Sequence, residues 1–232
     1  MQGVNPAPAS LSQLPLFPLQ TVLFPGGLLP LRIFEVRYLD MIGRCHKTGT
    51  PFGVVCLTRG SEVRRPQPPS AGAPKPSGDG FADEAFCEVG TLATINLLER
   101  PQPGLMMIHC TGTQRFRIRT SVQLKHGLWT ADAELLAGDA EVAVPEDLAF
   151  TRRGLRHVAE SIARHSPDTT ELPHPQRWDD CGWLANRWSE LLPVSIETRQ
   201  RFMALDNPLL RLELVADALH QIGFKLPAEP GA

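Results

Sequence analysis

Several things this chain lacks narrow its class. No apolar run reaches the roughly 18 residues a helix needs to cross a bilayer, so no membrane span is expected. Met1–Gln13 carries no Lys or Arg and no apolar stretch, which is not the form of a secretory leader. The five cysteines (Cys45, Cys56, Cys87, Cys110, Cys181) are odd in number, and none are spaced C-x-x-C. That argues against a disulfide framework and a zinc ribbon, and points to a reduced, cytoplasmic protein. Catalytic signatures are missing too. There is no G-x-x-x-x-G-K-[ST] loop for nucleotide phosphates, no G-x-S-x-G elbow, no H-E-x-x-H helix and no G-x-G-x-x-G turn. Neither sign of charge dominates: 23 basic against 25 acidic residues gives no overall pull toward nucleic acid or anionic lipid. Tyrosine is almost absent, with Tyr38 the single example.

Proline, by contrast, is plentiful: 22 residues, which usually marks turns and loops. Pro15 and Pro18 interrupt the apolar run Leu14–Leu19, which predicts an edge strand or a strand with interruptions, because proline lacks a ladder donor. Pro25-Gly26 reads as the centre of a type II turn, and Leu28–Ile33 as a buried strand. From Phe34 to Lys47 the period becomes helical. Phe34, Tyr38, Met41, Ile42 and Cys45 share one face, Arg37, Asp40 and Arg44 the wet one, and Gly49 is placed to cap the C-terminus. Phe52–Thr58 reads as a central strand. Between Arg59 and Gly80 there are five prolines and almost nothing apolar, so a mobile loop is expected over 59–86.

The strand pattern resumes in Val89–Leu98, Leu105–Gly112, Gln114–Val122 and Leu128–Leu136. Turn chemistry separates them at Arg100–Gly104, Gly112 and Lys125–Gly127, implying antiparallel pairing. After about residue 145 the pattern is helical. Leu148, Leu155, Val158, Ala159 and Ile162 mark one helix and Arg177–Leu192 a second. Ser195 caps a third, and a fourth runs from an Asn207 cap through Pro208 to Gly223. Strands first and helices later indicate an α+β fold in two parts. These are a β subdomain over 12–138 and a helical subdomain over 145–224.

These segments resemble a known family. Leu14-Pro-Leu-Phe-Pro-Leu-Gln-Thr-Val-Leu-Phe-Pro-Gly26, Leu29-Pro-Leu-Arg-Ile-Phe-Glu35 and Arg37-Tyr38 are similar to the N-terminal domain of Lon proteases. Phe52-Gly-Val-Val55, Val89–Ile95, Gly112–Ile118 and the tail segments Leu191-Leu-Pro193 and Leu205–Leu212 continue the likeness in order. The resemblance implies a twisted antiparallel PUA-like pseudo-barrel sheet followed by a C-terminal helical bundle. It also implies recognition of protein substrates. The motif residues Pro18, Phe24, Pro25, Gly26, Phe34, Glu35, Arg37, Tyr38, Gly53, Gly90, Gly112 and Phe116 are expected to be structural. Val36 departs from the pattern, standing where members often carry proline.

Three groups of residues invite functional readings. Arg115, Arg117 and Arg119 alternate with Phe116 and Ile118, so a strand would present three guanidinium groups on one face. Such a face is either an anion-binding stripe or, more ordinarily, a solvated surface paired with glutamates on neighbouring strands. Trp183 and Trp188 either wall a peptide site or pack the helical part. His165, His174, Asp179, Asp180 and Cys181 are metal-ligand types without a compact zinc spacing. His157 and Ser161 lie one helical turn apart but lack the rest of a hydrolase site. The expectation is a non-enzymatic protein without cofactor or metal. It would bind unfolded or extended protein segments in the groove between the β part and the helices, or by strand addition beside the Pro15/Pro18 strand. The other reading is RNA binding through the Arg115/Arg117/Arg119 face. Against it, residues 1–145 hold 13 basic and 12 acidic groups, far from the charge of a nucleic-acid binder.

Overall fold

Apolar strands with period-two alternation need a second surface to cover them, and here they find it by closing on themselves. The computed structural model describes residues 9–62, 84–165, 172 and 175–225. The stretch expected to be a mobile loop therefore lies, from 63 to 83, outside the described residues. The chain divides into two units. One holds the residues up to Leu23 with Leu29–Leu136; the other holds Phe24–Leu28 with the residues from Ala137 onward.

The first unit contains β1 (Ser10–Leu19), β2 (Leu28–Ile33, whose first residue counts with the second unit), α1 (Val36–Thr48), β3 (Phe52–Arg59), β4 (Ala85–Phe86), β5 (Val89–Gln102), β6 (Leu105–Gln123) and β7 (Trp129–Leu135). Its sheet runs β1-β7-β6-β5-β3, and β3 returns to pair with β1 in parallel from Leu16↔Gly53 to Leu19↔Cys56. Five strands thus form a closed barrel, with β4 added to β3 and β2 to β6. Of the two expectations for the proline-bearing strand the interrupted one holds: its ladder shifts register between Leu11 and Leu14 and changes partner at Leu16. It pairs with β7 over Ser10–Leu16 and with β3 over Leu16–Leu19. Each half has one paired neighbour, so alternate backbone positions need no donor and proline is admissible there.

Two apolar clusters fill this unit. Leu14, Leu16, Val55, Leu92, Phe116, Ala131 and Ala133 form one. The other joins Phe17, Phe52, Val54 and Ile108 to Tyr38, Met41, Ile42 and Cys45 of α1. Strand β3 serves both, which is why Phe52–Leu57 is buried throughout and reads as a near-continuous apolar run. Gly90 is required by close approach: a Cβ there would lie 2.4 Å from the Val54 carbonyl oxygen and 2.7 Å from Phe116 Cζ. The lone tyrosine is sandwiched. Its ring stacks on Phe17 at 4.0 Å between centroids, and the Arg37 guanidinium lies 4.4 Å from its centroid.

Three local expectations are corrected. Arg37 is buried rather than on the wet face. It donates to Glu35 and Glu84 carboxylates and, at 2.8 Å, to the Gly127 carbonyl. Glu84 also accepts from the Trp129 indole at 2.7 Å, so a polar network spans α1, the start of β4 and β7. Gly112 is not a turn. Strand β6 runs through it, and the register steps from Thr91↔Arg115 to Ala93↔Gly112, which places one extra β6 residue in a bulge. Finally, β2 is half-exposed on alternate residues instead of buried, because it lies at the flank of β6.

The second unit holds α2 (Ala149–His165), α3 (Cys181–Leu191), α4 (Ile196–Ala204) and α5 (Pro208–Gln221). Helix α3 packs on α5, with Leu184, Ala185 and Trp188 buried alongside Leu212, Val215, Ala216 and Leu219. The caps at Ser195 and Asn207 agree with the sequence signals, whereas α3 starts at Cys181 and not at the expected Arg177, because Asp180 caps it. Asp180 accepts from the Trp183 amide, Ser195 from the Thr198 amide, and Asn207 from the Leu209 and Leu210 amides. The turn at Pro25-Gly26 closes with a 2.9 Å bond from the Gly27 amide to the Phe24 carbonyl, and Gly26 has φ 74°. Arg187, fully buried, donates to the carbonyls of Gly26 at 2.8 Å and Pro25 at 3.0 Å. Those bonds account for this turn belonging to the helical unit.

Candidate functional site

An open cleft of about 770 Å³ lies within the first unit, between α1 and the tip of the β5–β6 hairpin. Leu39, Asp40, Gly43, Arg44 and Lys47 line it from the helix, and the segment Arg100–Met106 lines it from the hairpin. Helical period puts 39, 43 and 47 in one row with 40 and 44 beside them. The hairpin turns at Pro103-Gly104, where Gly104 has φ 76°. Its floor is apolar, since Met106 is part of the α1-side core and Leu39 packs against it. The cleft was only half legible in sequence: Asp40 and Arg44 were placed on the wet helical face, but nothing local showed that Arg100 would fold over them.

The arginine alternation does not yield a uniform stripe. Arg115 is 3% exposed, Arg117 is half-buried and Arg119 is exposed. The register shifts between Ile118 and Thr120, which makes Arg119 a bulged residue and ends strict alternation. Arg119 ion-pairs with Glu134 on β7, the ordinary role for a charge on a solvated strand face. The structure therefore does not bring three equivalent cations to one surface.

Comparison with known proteins decides the family. Residues 13–221 match the substrate-binding domain of ATP-dependent protease La (LON). The chain belongs to the LON substrate-binding domain family. A Lon protease from Anaeromyxobacter dehalogenans is 27% identical over 219 residues, covering 90% of this chain but 23% of that protein. Among solved structures, a Lon N-terminal domain protein from Xanthomonas campestris superposes with a TM-score of 0.66 at 26% identity, covering 89% of this chain and 98% of the other. The N-terminal domain of a Mycobacterium avium complex Lon protease shares the fold, with a TM-score of 0.52 at 12% identity over 91% of this chain and 98% of that one.

In this LON domain the motif residues take places that local packing explains. Phe24, Tyr38 and Phe116 are buried, whereas Phe34 is 50% exposed, because it precedes α1 instead of continuing its apolar face. Glu35 is the N-terminal cap residue of α1 but makes no side-chain cap; its carboxylate receives Arg37 Nε at 3.1 Å. Val36, in the position often taken by proline, is the first helical residue. Pro18 sits in the parallel ladder opposite Val55, and Gly53 lies under Phe116, where a Cβ would come within 2.7 Å.

The LON domain's tryptophans divide. Trp188 is buried and donates to the Thr151 carbonyl at 2.9 Å, with Phe224 edge-on at 5.2 Å. Trp183 is half-buried and meets Trp178 edge-on at 5.0 Å, and the Arg156 guanidinium sits 5.0 Å from the Trp178 ring centroid. Sequence reading passed over Trp178, since only the fold of the preceding loop brings it to α3. The metal-type residues are occupied locally. Asp180 caps α3, Asp179 pairs with Arg152, Cys181 donates to the Ala143 carbonyl, and His165 contacts the Ser161 carbonyl. His174 lies outside the described residues. Among the described residues no cluster of three ligand-type side chains is assembled.

Proposed function

We propose that this domain binds exposed segments of other proteins, without catalysis of its own, and works in a reducing cytoplasm. The observation that carries the reading is the open cleft on α1 and the β5–β6 hairpin of a LON substrate-binding domain. From Leu39 to Lys47 the helix side of the cleft runs about 12 Å at 1.5 Å per residue, the length of roughly four extended residues. The cleft is built on a helix and two long strands, so little ordering is required when a segment binds. Strand addition beside Pro15 and Pro18 is the lesser reading, because each half of β1 already pairs with one neighbour and has only its other side open. The five cysteines form no disulfide, which suits a reducing compartment.

The test is a titration of the purified protein with a mixed-sequence library of extended peptides, read by fluorescence anisotropy. Saturable binding in the micromolar range is expected, and no saturation at tens of micromolar would sink the reading.

A further inference from the structure

We propose that the cleft between α1 and the β5–β6 hairpin selects acidic segments: extended peptide in which carboxylates alternate with apolar side chains. This rests on the reading of the domain as a binder of protein segments and names the class of segment.

Charge comes first. Arg44, Lys47 and Arg100 line the cleft against one carboxylate, Asp40. None of the three cations is ion-paired among the described residues; even Asp40, spaced i,i+4 from Arg44, makes no ion pair with it. A cluster of like charge in a chain of net charge −2 leaves local repulsion that an anionic partner would relieve. Arg44 and Lys47 near the C-terminus of α1 have a structural reason to be there, since cations offset the helix dipole. Arg100 has none of that kind. It comes from the hairpin and reaches across to the helix, where its Nη2 lies 3.8 Å from the position a Cβ would take on Gly43.

Gly43 is the second observation. It sits inside α1, where glycine is less favourable than alanine. Packing does not demand it: a Cβ there would make only ordinary contacts, with Arg100 Nη2 at 3.8 Å and Met106 Cε at 3.9 Å. The helix therefore gives up stability at the point where the cleft floor would otherwise be filled. Beside this gap lie Leu39, Pro101, Pro103, Leu105 and Met106, apolar surface that takes the side chains between the carboxylates. The cleft is open to solvent, so a bound chain can continue beyond it.

The experiment uses three fluorescent peptides that differ only at alternate positions: Leu with Glu, Leu with Gln, and Leu with Lys. Affinities are measured by anisotropy at low and at moderate salt. The Glu peptide is expected to bind about tenfold or more tighter than the Lys peptide, with the margin shrinking as salt rises. Arg44→Glu with Arg100→Glu should abolish or invert that order, and the milder Arg100→Gln should narrow it. Gly43→Phe, with folding verified by thermal melting, should weaken the Glu and Gln peptides alike. Equal affinity for all three peptides, or an acidic preference that survives the Arg44/Arg100 reversal, overturns the inference and leaves segment binding standing. Failure of every peptide to bind removes the proposed function itself.

Discussion

The guanidinium of Arg211 grips the carboxylate of Asp139 through two parallel bonds, Nη1 to Oδ2 at 2.6 Å and Nη2 to Oδ1 at 3.0 Å. Arg211 is 1% exposed. Its remaining donors reach Asn186 Oδ1 at 2.9 Å and the carbonyls of Phe202 and Leu205. One side chain thus ties α5 to α3, to the end of α4 and to the segment entering the helical unit. Truncating one partner of a buried pair strands the other charge, at about 3–5 kcal/mol. Arg211→Ala should lower unfolding stability by that amount in urea titration. Arg211→Lys should recover little, because an ammonium cannot reproduce the forked geometry.

The two glycines Gly90 and Gly43 should respond oppositely to alanine. At Gly90 the added methyl would meet the Val54 carbonyl at 2.4 Å. The barrel wall must shift, at a cost of about 3 kcal/mol. At Gly43 the methyl fits, and α1 should gain about 0.5–1 kcal/mol. Paired thermal melts of Gly90→Ala and Gly43→Ala test both signs.

Glu190, whose side chain is 29% exposed beside Arg187, is expected to make the helical unit sensitive to pH. Burial pushes its carboxyl up to about 7, with Arg187 and Arg199 pulling the other way; Arg187 Nη2 lies 2.8 Å from its Oε1. Between its ordinary value of 4.5 and about 7 the folded chain keeps a proton that the unfolded chain has lost. Stability from this group is therefore full below the lower value and falls as pH rises through the upper one. Wild type should lose more stability than Glu190→Gln between pH 5 and pH 8. Equal losses in urea midpoint would remove Glu190 as the cause.

Thiol reactivity should be ordered by burial. Desolvation pushes Cys110 up to about 12 and Cys181 up to about 11, and Cys45 is also raised. Cys87 is the one half-exposed cysteine. Alkylation of the native protein followed by peptide mass mapping should label Cys87 first, with Cys45, Cys110 and Cys181 reacting only as the chain unfolds.

The amino-acid sequence by itself determined most of the elements and several of their ends. Proline at 208 after Asn207 and serine at 195 act within one turn, so those two helix starts were readable; the start of α3 was not, since the cap at Asp180 lies inside the expected Arg177–Leu192 helix. So were the Pro25-Gly26 turn and the placing of Phe116 on the apolar side of its strand, because each depends on residues next to one another. What depends on distant partners was decided by tertiary structure alone. The return of β1 to β3 made the interrupted strand the seam of a barrel. Arg37 left the wet face for Glu84 and Gly127, 47 and 90 positions away in the chain. A bulge at Arg119 broke the arginine alternation. The cleft follows the same rule: Arg44 and Arg100 are 56 residues apart in sequence, and only the packing of α1 on the β5–β6 hairpin sets them around one floor. Local propensity acts over a turn or a strand; a binding surface is made by long-range contacts whose geometry no single segment encodes.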